Sequence, residues 1–213
     1  GLGDVYKRQG GGISGLGAAY VLSNTYQVTL FEAENRLGGH ARTVFAGKNG
    51  NQAVDTGFIV FNYPNYPELS QLFSELNVPI AKSDMSFGAS LNDGTIEYAL
   101  RNFDAIFAQR KNVLNPRFVK MVWDINRFNT IGLTVADDES LTIGQFLQKL
   151  KTGDWFRDYY LLPLSGAIWS TPTEKILDFP AYAMLQFFKN HALLSRSGQH
   201  QWYTVKGGSR EYV

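Results

Sequence analysis

The feature that most constrains the fold is a glycine-rich hexad at residues 10–15, Gly-Gly-Gly-Ile-Ser-Gly. In the G-x-G-x-x-G pattern, the first glycine, Gly10, permits a tight turn after a strand, and the second, Gly12, lets the backbone approach a pyrophosphate. The third, Gly15, lets the following helix pack closely on the sheet. A glycine-rich loop without a ligand has the same pattern, so a second signal is needed to decide between the two.

Glu32 supplies that second signal, because it follows Gly12 by twenty residues, at the end of the strand-like run 27–32. An acid at the end of the second strand accepts hydrogen bonds from the ribose hydroxyls of an adenosine; a solvated acid at a strand end is the alternative. The helix that begins at Ile13 and Ser14 offers unpaired N–H groups and a positive dipole end to phosphates. Together these features predict a strand–helix–strand unit that binds a dinucleotide. The acid disfavours NADP, because it would repel the 2′-phosphate.

The segment from Glu32 to His40 reads Glu-Ala-Glu-Asn-Arg-Leu-Gly-Gly-His, and it resembles the segment after the second strand in the flavin amine oxidase and phytoene desaturase superfamily. In that superfamily an E-x-x-x-R-x-G-G run continues the nucleotide fingerprint, so the resemblance implies FAD as the cofactor. It also implies that Arg36 helps to neutralise the diphosphate and that Gly38 and Gly39 bring backbone against the FAD. The cofactor-binding residues implied in this segment are Glu32, Ala33, Arg36, Gly38, Gly39 and His40.

Two positions keep alternatives open. Relatives often carry arginine directly after the glycine doublet, whereas this chain has His40 there and Arg42 two places on, so which of the two faces the cofactor is undecided. The run Asp55-Thr56-Gly57 resembles the superfamily's return segment near the flavin ring. There Gly57 would let the chain pass close to a planar ligand; an ordinary turn is the alternative.

Three later segments resemble a bacterial subgroup of amine-oxidase-like proteins that are often linked with lipid modification: Ala167–Ser170, Asn190-His191 and Trp202–Ser209. The resemblance implies an FAD-dependent oxidoreductase that transfers a hydride from a C–N or C–C bond of a small molecule to flavin N5. The apolar second half of the chain favours a hydrophobic or lipid-like substrate. Because the flavin itself accepts the hydride, such a site needs few titratable groups. The alternatives are an NAD-dependent oxidoreductase and a non-catalytic nucleotide-binding protein.

The resemblance implies an α/β fold in which a Rossmann-like FAD-binding domain, a parallel sheet flanked by helices, carries an inserted, mostly helical α+β substrate domain. We place the N-terminal part of the FAD-binding domain at residues 1–62, the substrate domain at 63–204 and a truncated return toward the first domain at 205–213. The chain is then an N-terminal fragment. Without a C-terminal segment to close the site, we expect it to bind FAD weakly or not at all and to be inactive alone.

Local patterns predict elements within these domains. Residues 1–9 are expected to include a non-native leader, because Lys7 and Arg8 stand where a central parallel strand is apolar. The other predicted elements are helices from Pro67 and Pro116, a hairpin at Asn92-Asp93-Gly94, and a strand at Gln201–Val205.

The composition excludes several classes of site and partner. The 213 residues contain no cysteine, which rules out disulfides, thiolate catalysis and Cys-ligated metals. His40, His191 and His200 are too scattered for a metal site, so none is expected. The formal net charge of +1 creates no strong field toward nucleic acid or an acidic membrane, so no nucleic-acid partner is expected. No apolar run reaches the roughly 20 residues that span a bilayer, and the cytoplasm is the expected compartment.

No residue receives a catalytic role from the sequence. His191 has two alternative roles: it lines a substrate pocket, or it is a histidine at a loop or helix end with a satisfied hydrogen bond. Lys206 also has two: it approaches the flavin, or it is a solvated lysine at the end of a strand. Trp169 and Trp202 are candidates for lining an apolar cavity, but core packing is the more common role of tryptophan. The catalytic residues, the substrate and the electron acceptor therefore stay unassigned.

Overall fold

A computed structural model describes residues 5–169, 171–195 and 200–213. The chain divides into two compact units: unit 1 runs to Asp84 and resumes at Gln201, and unit 2 comprises Met85–His200. The sequence placed these boundaries after residues 62 and 204 instead. They differ because a strand at Ile80–Ser83 pairs with the strand near the C-terminus and so belongs to unit 1. Which unit binds cofactor and which binds substrate stays a prediction.

The elements are numbered in chain order. They are β1 Val5–Gln9, α1 Ile13–Ser23, β2 Gln27–Phe31, β3 Thr43–Ala46, β4 Gln52–Asp55, α2 Pro67–Glu75, β5 Ile80–Ser83, β6 Gly88–Leu91, β7 Ile96–Ala99, α3 Phe103–Ile106, a 3-10 turn Arg110–Leu114, α4 Pro116–Val135, α5 Ile143–Leu150, α6 Asp154–Phe156, a π-helical turn Arg157–Leu161, α7 Leu162–Trp169, α8 Thr173–Ile176, α9 Ala181–Asn190, β8 Trp202–Val205 and a 3-10 turn Ser209–Glu211.

Unit 1 begins with the strand–helix–strand arrangement that the hexad predicts. Strands β1 and β2 are parallel and in register from Val5 opposite Gln27 to Gln9 opposite Phe31, and α1 connects them. Strand β1 forms even though it contains Lys7 and Arg8. Both side chains are exposed, and the described part of this sheet has only the two strands β1 and β2. The charged side chains therefore stay in water and do not oppose the strand.

The core of unit 1 is centred on Phe61, whose side chain is 1% exposed. Its ring meets that of Phe73 edge-on at 5.1 Å between centroids. Its backbone exchanges two hydrogen bonds with Tyr203, at 2.9 and 2.8 Å. Beside this contact, β5 and β8 pair antiparallel, with Ile80 opposite Val205. The C-terminal segment is thus part of the same core as residues before 84.

Unit 2 is mostly helical and opens with the expected hairpin. Strands β6 and β7 are antiparallel, and the turn residues Asn92, Asp93 and Gly94 all have positive φ, between 51° and 79°, as a tight hairpin turn requires. Helix α4 begins at Pro116 as predicted, and the side chain of Asn115 caps it by accepting hydrogen bonds from the N–H groups of its first turn.

The core of unit 2 is aromatic. Phe128 of α4 has no exposed surface, and its ring lies 5.4 to 6.4 Å from those of Phe146, Phe156, Tyr160 and Phe188. Those rings come from α5, α6, the π-helical turn and α9, so one side chain joins four segments. No helix among the described residues is long and apolar enough to cross a bilayer. The α/β fold expected from the sequence is confirmed.

Candidate functional site

The glycine hexad forms the turn between β1 and α1. Gly10 has φ +93°, a conformation that favours glycine, and its N–H donates to the carbonyl of Phe31 at 2.8 Å. Gly12 is the N-cap residue of α1, and its carbonyl accepts the first helical hydrogen bond, from Leu16 at 2.9 Å. The hexad therefore carries the chain from the end of β1 directly into a helix N-terminus, as the fingerprint predicts.

The glycines of this turn are required for different reasons. A Cβ added to Gly15 would lie 1.8 Å from the carbonyl oxygen of Gly10, so glycine is needed there for helix α1 to approach the turn. Gly12 has φ −71°, which any residue adopts, and a Cβ added to it would meet no described atom within 4 Å. Neither backbone conformation nor packing explains the glycine at 12. Space above its Cα is what a diphosphate passing close to the backbone needs.

The N-terminus of α1 has the properties of an anion site. No described side chain caps it, and its first turn contains no acid. Ile13 is half-buried and packs against the unit 1 core, whereas Ser14 is exposed. The first-turn N–H groups have no partner within the helix and carry the positive end of its dipole. They are the groups with which a diphosphate would be bound.

Glu32 lies immediately after β2, next to the hexad. One carboxylate oxygen accepts the N–H of Gly11, and the other accepts the N–H of Glu34 at 2.8 Å. The hydrogen bonds from Glu34 and Gly11 hold the pKa of the Glu32 carboxyl below its usual range. Glu32 is therefore an ionised acceptor that also fixes the turn. Its neighbour Ala33 is exposed and adds only backbone to this position.

The second glycine doublet packs on the first glycine turn. The N–H of Gly38 donates to the carbonyl of Gly11 at 2.7 Å, and Gly12 and Gly38 form a parallel bridge. A Cβ on Gly39 would lie 3.1 Å from the Cα of Gly12. Two segments that are separate in sequence thus form one continuous backbone surface around Gly12. The sequence suggested both segments, but their direct hydrogen bonding is a finding of the structure.

Arg36 stabilises the turn that contains Gly38 and Gly39. Its guanidinium donates to the carbonyl of Gly39 at 2.9 Å and pairs with Glu34 at 3.0 Å, while 34% of the side chain stays exposed. Part of its charge is therefore offset before any cofactor is bound. His40 and Arg42 are both exposed, so both stay candidates for the residue that faces the cofactor.

Gly57 has a packing explanation. A Cβ at this position would lie 1.9 Å from the carbonyl oxygen of His40, so the chain needs glycine here whether or not a ligand is present. The preceding strand ends at Asp55. Its Oδ1 accepts hydrogen bonds from the hydroxyl of Thr43 at 2.7 Å and from the N–H and hydroxyl of Ser209, each at 2.8 Å. Sequence reasoning missed this cluster, because no spacing rule links residues 154 positions apart.

The other residues singled out from the sequence have structural surroundings. His191 follows α9, its ring stacks on Phe187 at 3.9 Å, and its Nδ1 lies 2.9 Å from the Phe187 carbonyl. Trp169 stacks on Phe188, and Trp202 is 7% exposed in β8. The exposed Lys206 and the half-buried His200 flank β8. Ser170 lies outside the described residues.

Unit 2 contains two open clefts. The larger, of about 420 Å³, is lined by Asn92, Thr95, Ile96, Lys111, Asn112, Asn115, Trp155 and Tyr159. The second, of about 340 Å³, shares Trp155 and Tyr159 and adds the side chains of Arg117, Lys120 and Asp158. Apart from the two shared aromatic rings, both clefts are lined mostly by polar or charged residues. Neither contains a residue that the sequence singled out as a cofactor or catalytic candidate.

A family model described as an NAD(P)-binding Rossmann-like domain matches residues 10–76. This range contains the hexad, Glu32 and the second doublet. The match to this family model supports a dinucleotide cofactor for unit 1. Comparison of the sequence with curated proteins gives no match.

Several solved structures share the fold of the chain. Putrescine oxidase with bound putrescine matches with a TM-score of 0.63 at 18% identity, over 99% of this chain and 47% of that one. Cyclohexylamine oxidase from Brevibacterium oxydans IH-35A matches with 0.63 at 18% identity, over 100% and 48%. A CLA-producing fatty acid isomerase from P. acnes matches with 0.56 at 14% identity, over 99% and 48%.

The chain spans about half the length of these structures. At such identities the likeness is one of fold. The resemblance to the flavin amine oxidase superfamily is confirmed at that level.

Proposed function

We propose that this chain is the dinucleotide-binding part of an FAD-dependent oxidoreductase. The observation that carries the proposal is the docking of the Gly38-Gly39 doublet on the first glycine turn, with open space left above Gly12. A single glycine turn suits NAD as well as FAD. The second turn follows the flavoprotein spacing, which is why FAD is favoured over the NAD alternative.

Each residue of the site has a distinct task in this proposal. The first-turn N–H groups of α1, from Ile13, Ser14 and Gly15, bind the diphosphate, and the absence of an acid in that turn keeps the local charge favourable. Glu32 is held ionised beside the turn and accepts from the ribose hydroxyls. Arg36 keeps the doublet in place through the Gly39 carbonyl.

The cofactor, when bound, supplies a hydride acceptor at flavin N5. The substrate proposed is a small hydrophobic molecule oxidised at a C–N or C–C bond. Putrescine oxidase and cyclohexylamine oxidase are among the similar structures, which supports a small-molecule substrate oxidised at a C–N bond. We assign substrate binding to unit 2, because its two clefts share the aromatic rings of Trp155 and Tyr159, which an apolar ligand could contact.

The test compares two glycine substitutions in the purified chain and in the protein at its natural full length. Gly12→Ala adds a methyl group into the space above the turn, where it meets no described atom within 4 Å, so the fold is expected to be unchanged. Affinity for FAD should fall at least about tenfold, because the methyl group occupies the approach of the diphosphate. Gly17→Ala is the matched control: Gly17 lies five residues further along the chain, within α1, has equally open space and should leave FAD affinity unchanged.

Visible absorption and FAD titration give the readout, with NAD titration alongside. Flavin bound by the full-length protein and weakened by Gly12→Ala alone supports the proposal. A protein that binds NAD in preference to FAD, or that takes up FAD equally well in the Gly12→Ala variant, would falsify it. A protein that binds FAD but is reduced by no amine or lipid donor is a non-catalytic nucleotide-binding protein.

A further inference from the structure

Unit 2 exposes an apolar surface at the beginning of α4 and in the 3-10 turn before it. We call this the α4 apolar surface and define it by its four side chains, with their exposed fractions: Val113 51%, Leu114 88%, Val119 43% and Trp123 64%. Val119 and Trp123 are four residues apart and lie on the same face of the helix. Single exposed apolar residues are ordinary, but four large ones within eleven residues of chain form a patch that needs an explanation.

A neighbouring side chain extends the patch. Phe103, at the start of α3, is 77% exposed. The residue after it, Asp104, pairs with Arg110 of the 3-10 turn at 3.1 Å, which places the start of α3 beside the turn that carries Leu114. The exposed apolar side chains thus come from three consecutive elements of one segment.

The same segment concentrates positive charge. Residues 101–127 contain six basic residues and two acids, an excess of four, whereas the whole chain has a formal net charge of +1. The basic residues are Arg101, Arg110, Lys111, Arg117, Lys120 and Arg127. Both acids are already paired: Asp104 with Arg110, and Asp124, 4% exposed, with Lys120. The modest overall charge therefore conceals a net positive segment, and the same segment carries the apolar surface.

Other charges near this region do not reverse its sign. Asp154 and Asp158 line the same cleft as Arg117 and Lys120. Both are paired with Arg157, at 3.6 and 2.6 Å. Among the described residues, Arg117 has no ion pair with any acid, so its charge is available to an external anion.

We propose that the α4 apolar surface docks on an anionic lipid bilayer. Exposed leucine and valine side chains lower their free energy by entering the acyl boundary, and the amphipathic indole of Trp123 suits the headgroup level. Surrounding cations attract anionic headgroups. Docking between two copies of this chain is disfavoured, because a two-fold interface would bring the same basic residues together. The mode is surface attachment, and it is independent of the proposed oxidoreductase function.

The experiment measures co-sedimentation of the full chain with phosphatidylcholine vesicles, with and without phosphatidylglycerol. Binding is expected only to the anionic vesicles and should weaken as salt is added. Arg117→Gln should lower the partition coefficient roughly fivefold, the effect of one surface cation. The pair Leu114→Ser and Trp123→Ser should lower it at least about tenfold. Val21→Ser is the control, because Val21 is 65% exposed on α1 of unit 1 and should not change binding.

A second readout tests the insertion of Trp123. Tryptophan emission should shift to shorter wavelength on binding anionic vesicles, and Trp123→Phe should remove most of that shift while the protein still binds. Circular dichroism confirms that each variant is folded. The proposal is overturned if the protein binds neutral vesicles equally well, or if the folded protein binds no vesicles. It is also overturned if the protein self-associates and Leu114→Ser abolishes that association, which would make a second copy of the chain the occupant of the surface.

Discussion

At the scale of single residues, two glycines in α1 have opposite surroundings. Gly15 faces the carbonyl oxygen of Gly10, which a Cβ would approach to 1.8 Å. Gly17 faces open space, with no described atom within 4 Å of an added Cβ. The sequence motif already assigns Gly15 to close packing of the helix, whereas it gives Gly17 no role. The structure separates a glycine that the turn needs from one that the helix only tolerates.

The first prediction follows from this difference. Gly15→Ala forces the turn away from the helix and should lower the free energy of unfolding by about 1–3 kcal/mol. Gly17→Ala should raise it by up to about 1 kcal/mol, because alanine favours the helical backbone. Urea denaturation of both variants measures the two values. Equal changes in the two variants would show that the predicted contact between α1 and the turn is wrong.

A second prediction concerns the ionisation of Glu32. Backbone N–H groups of Glu34 and Gly11 lower the pKa of its carboxyl below 4.5, the value of an unperturbed glutamate. Because the pKa is lowered in the folded state, the stabilisation is complete above pH 4.5 and is lost as the pH falls through the lowered value. Side-chain NMR titration should give Glu32 a lower pKa in the folded protein than in the unfolded chain. In the Glu32→Gln variant, the loss of stability caused by protonation of Glu32 at low pH should disappear. A Glu32 pKa equal to that of an unperturbed glutamate would contradict the hydrogen bonds described for this carboxylate.

At the scale of elements, Asp124 joins two helices of unit 2. Its carboxylate, 4% exposed, lies on α4 and accepts the N–H of Gly153 at 2.8 Å. Gly153 is the N-cap residue of α6. The same oxygen accepts from Lys120 at 2.7 Å, one turn earlier on α4. This acid therefore sets where the chain turns into α6, beside the aromatic core.

The third prediction tests that connection. Asp124→Ala leaves the Gly153 N–H without its partner and should cost about 1–3 kcal/mol of unfolding free energy. Asp104→Ala is the matched control, because it also breaks an aspartate ion pair but at a side chain that is 84% exposed. Exposed pairs contribute little, so the control should change stability by less than about 1 kcal/mol. A similar loss in both variants would mean that burial does not distinguish these two acids.

At the scale of the whole molecule, the described residues form two separate hydrophobic clusters. The cluster around Phe128 draws all its members from unit 2, and the cluster around Phe61 and Phe73 draws all of its members from unit 1. Local unfolding free energies follow such clusters. The stability of each unit should therefore respond chiefly to its own core.

The fourth prediction applies to these cores. Phe128→Ala should cost about 3–5 kcal/mol, because it empties the position where four aromatic rings meet. Hydrogen exchange followed by mass spectrometry should show faster amide exchange in residues 85–200 and little change in residues 5–84. Phe73→Ala should give the converse pattern. Faster exchange throughout the chain in either variant would contradict a division into separate cores.

Local signals predicted the parts of the fold that depend on neighbours in sequence. Asn92-Asp93-Gly94 favours positive φ, so the hairpin of β6 and β7 could be predicted from three residues. The pairing of β5 with β8 could not, because four-residue strands more than a hundred residues apart share no local pattern. Likewise, spacing placed Arg36 in the cofactor motif, but its contact with the Gly39 carbonyl depends on side-chain packing.

The discontinuity of unit 1 has a consequence for synthesis on the ribosome. Strand β5 leaves the exit tunnel early, but its partner β8 is made only after all of residues 85–200. At cellular elongation rates this delay is on the order of ten seconds, during which β5 offers an unpaired edge. The nascent chain must therefore complete its inserted helical unit before its first unit can close.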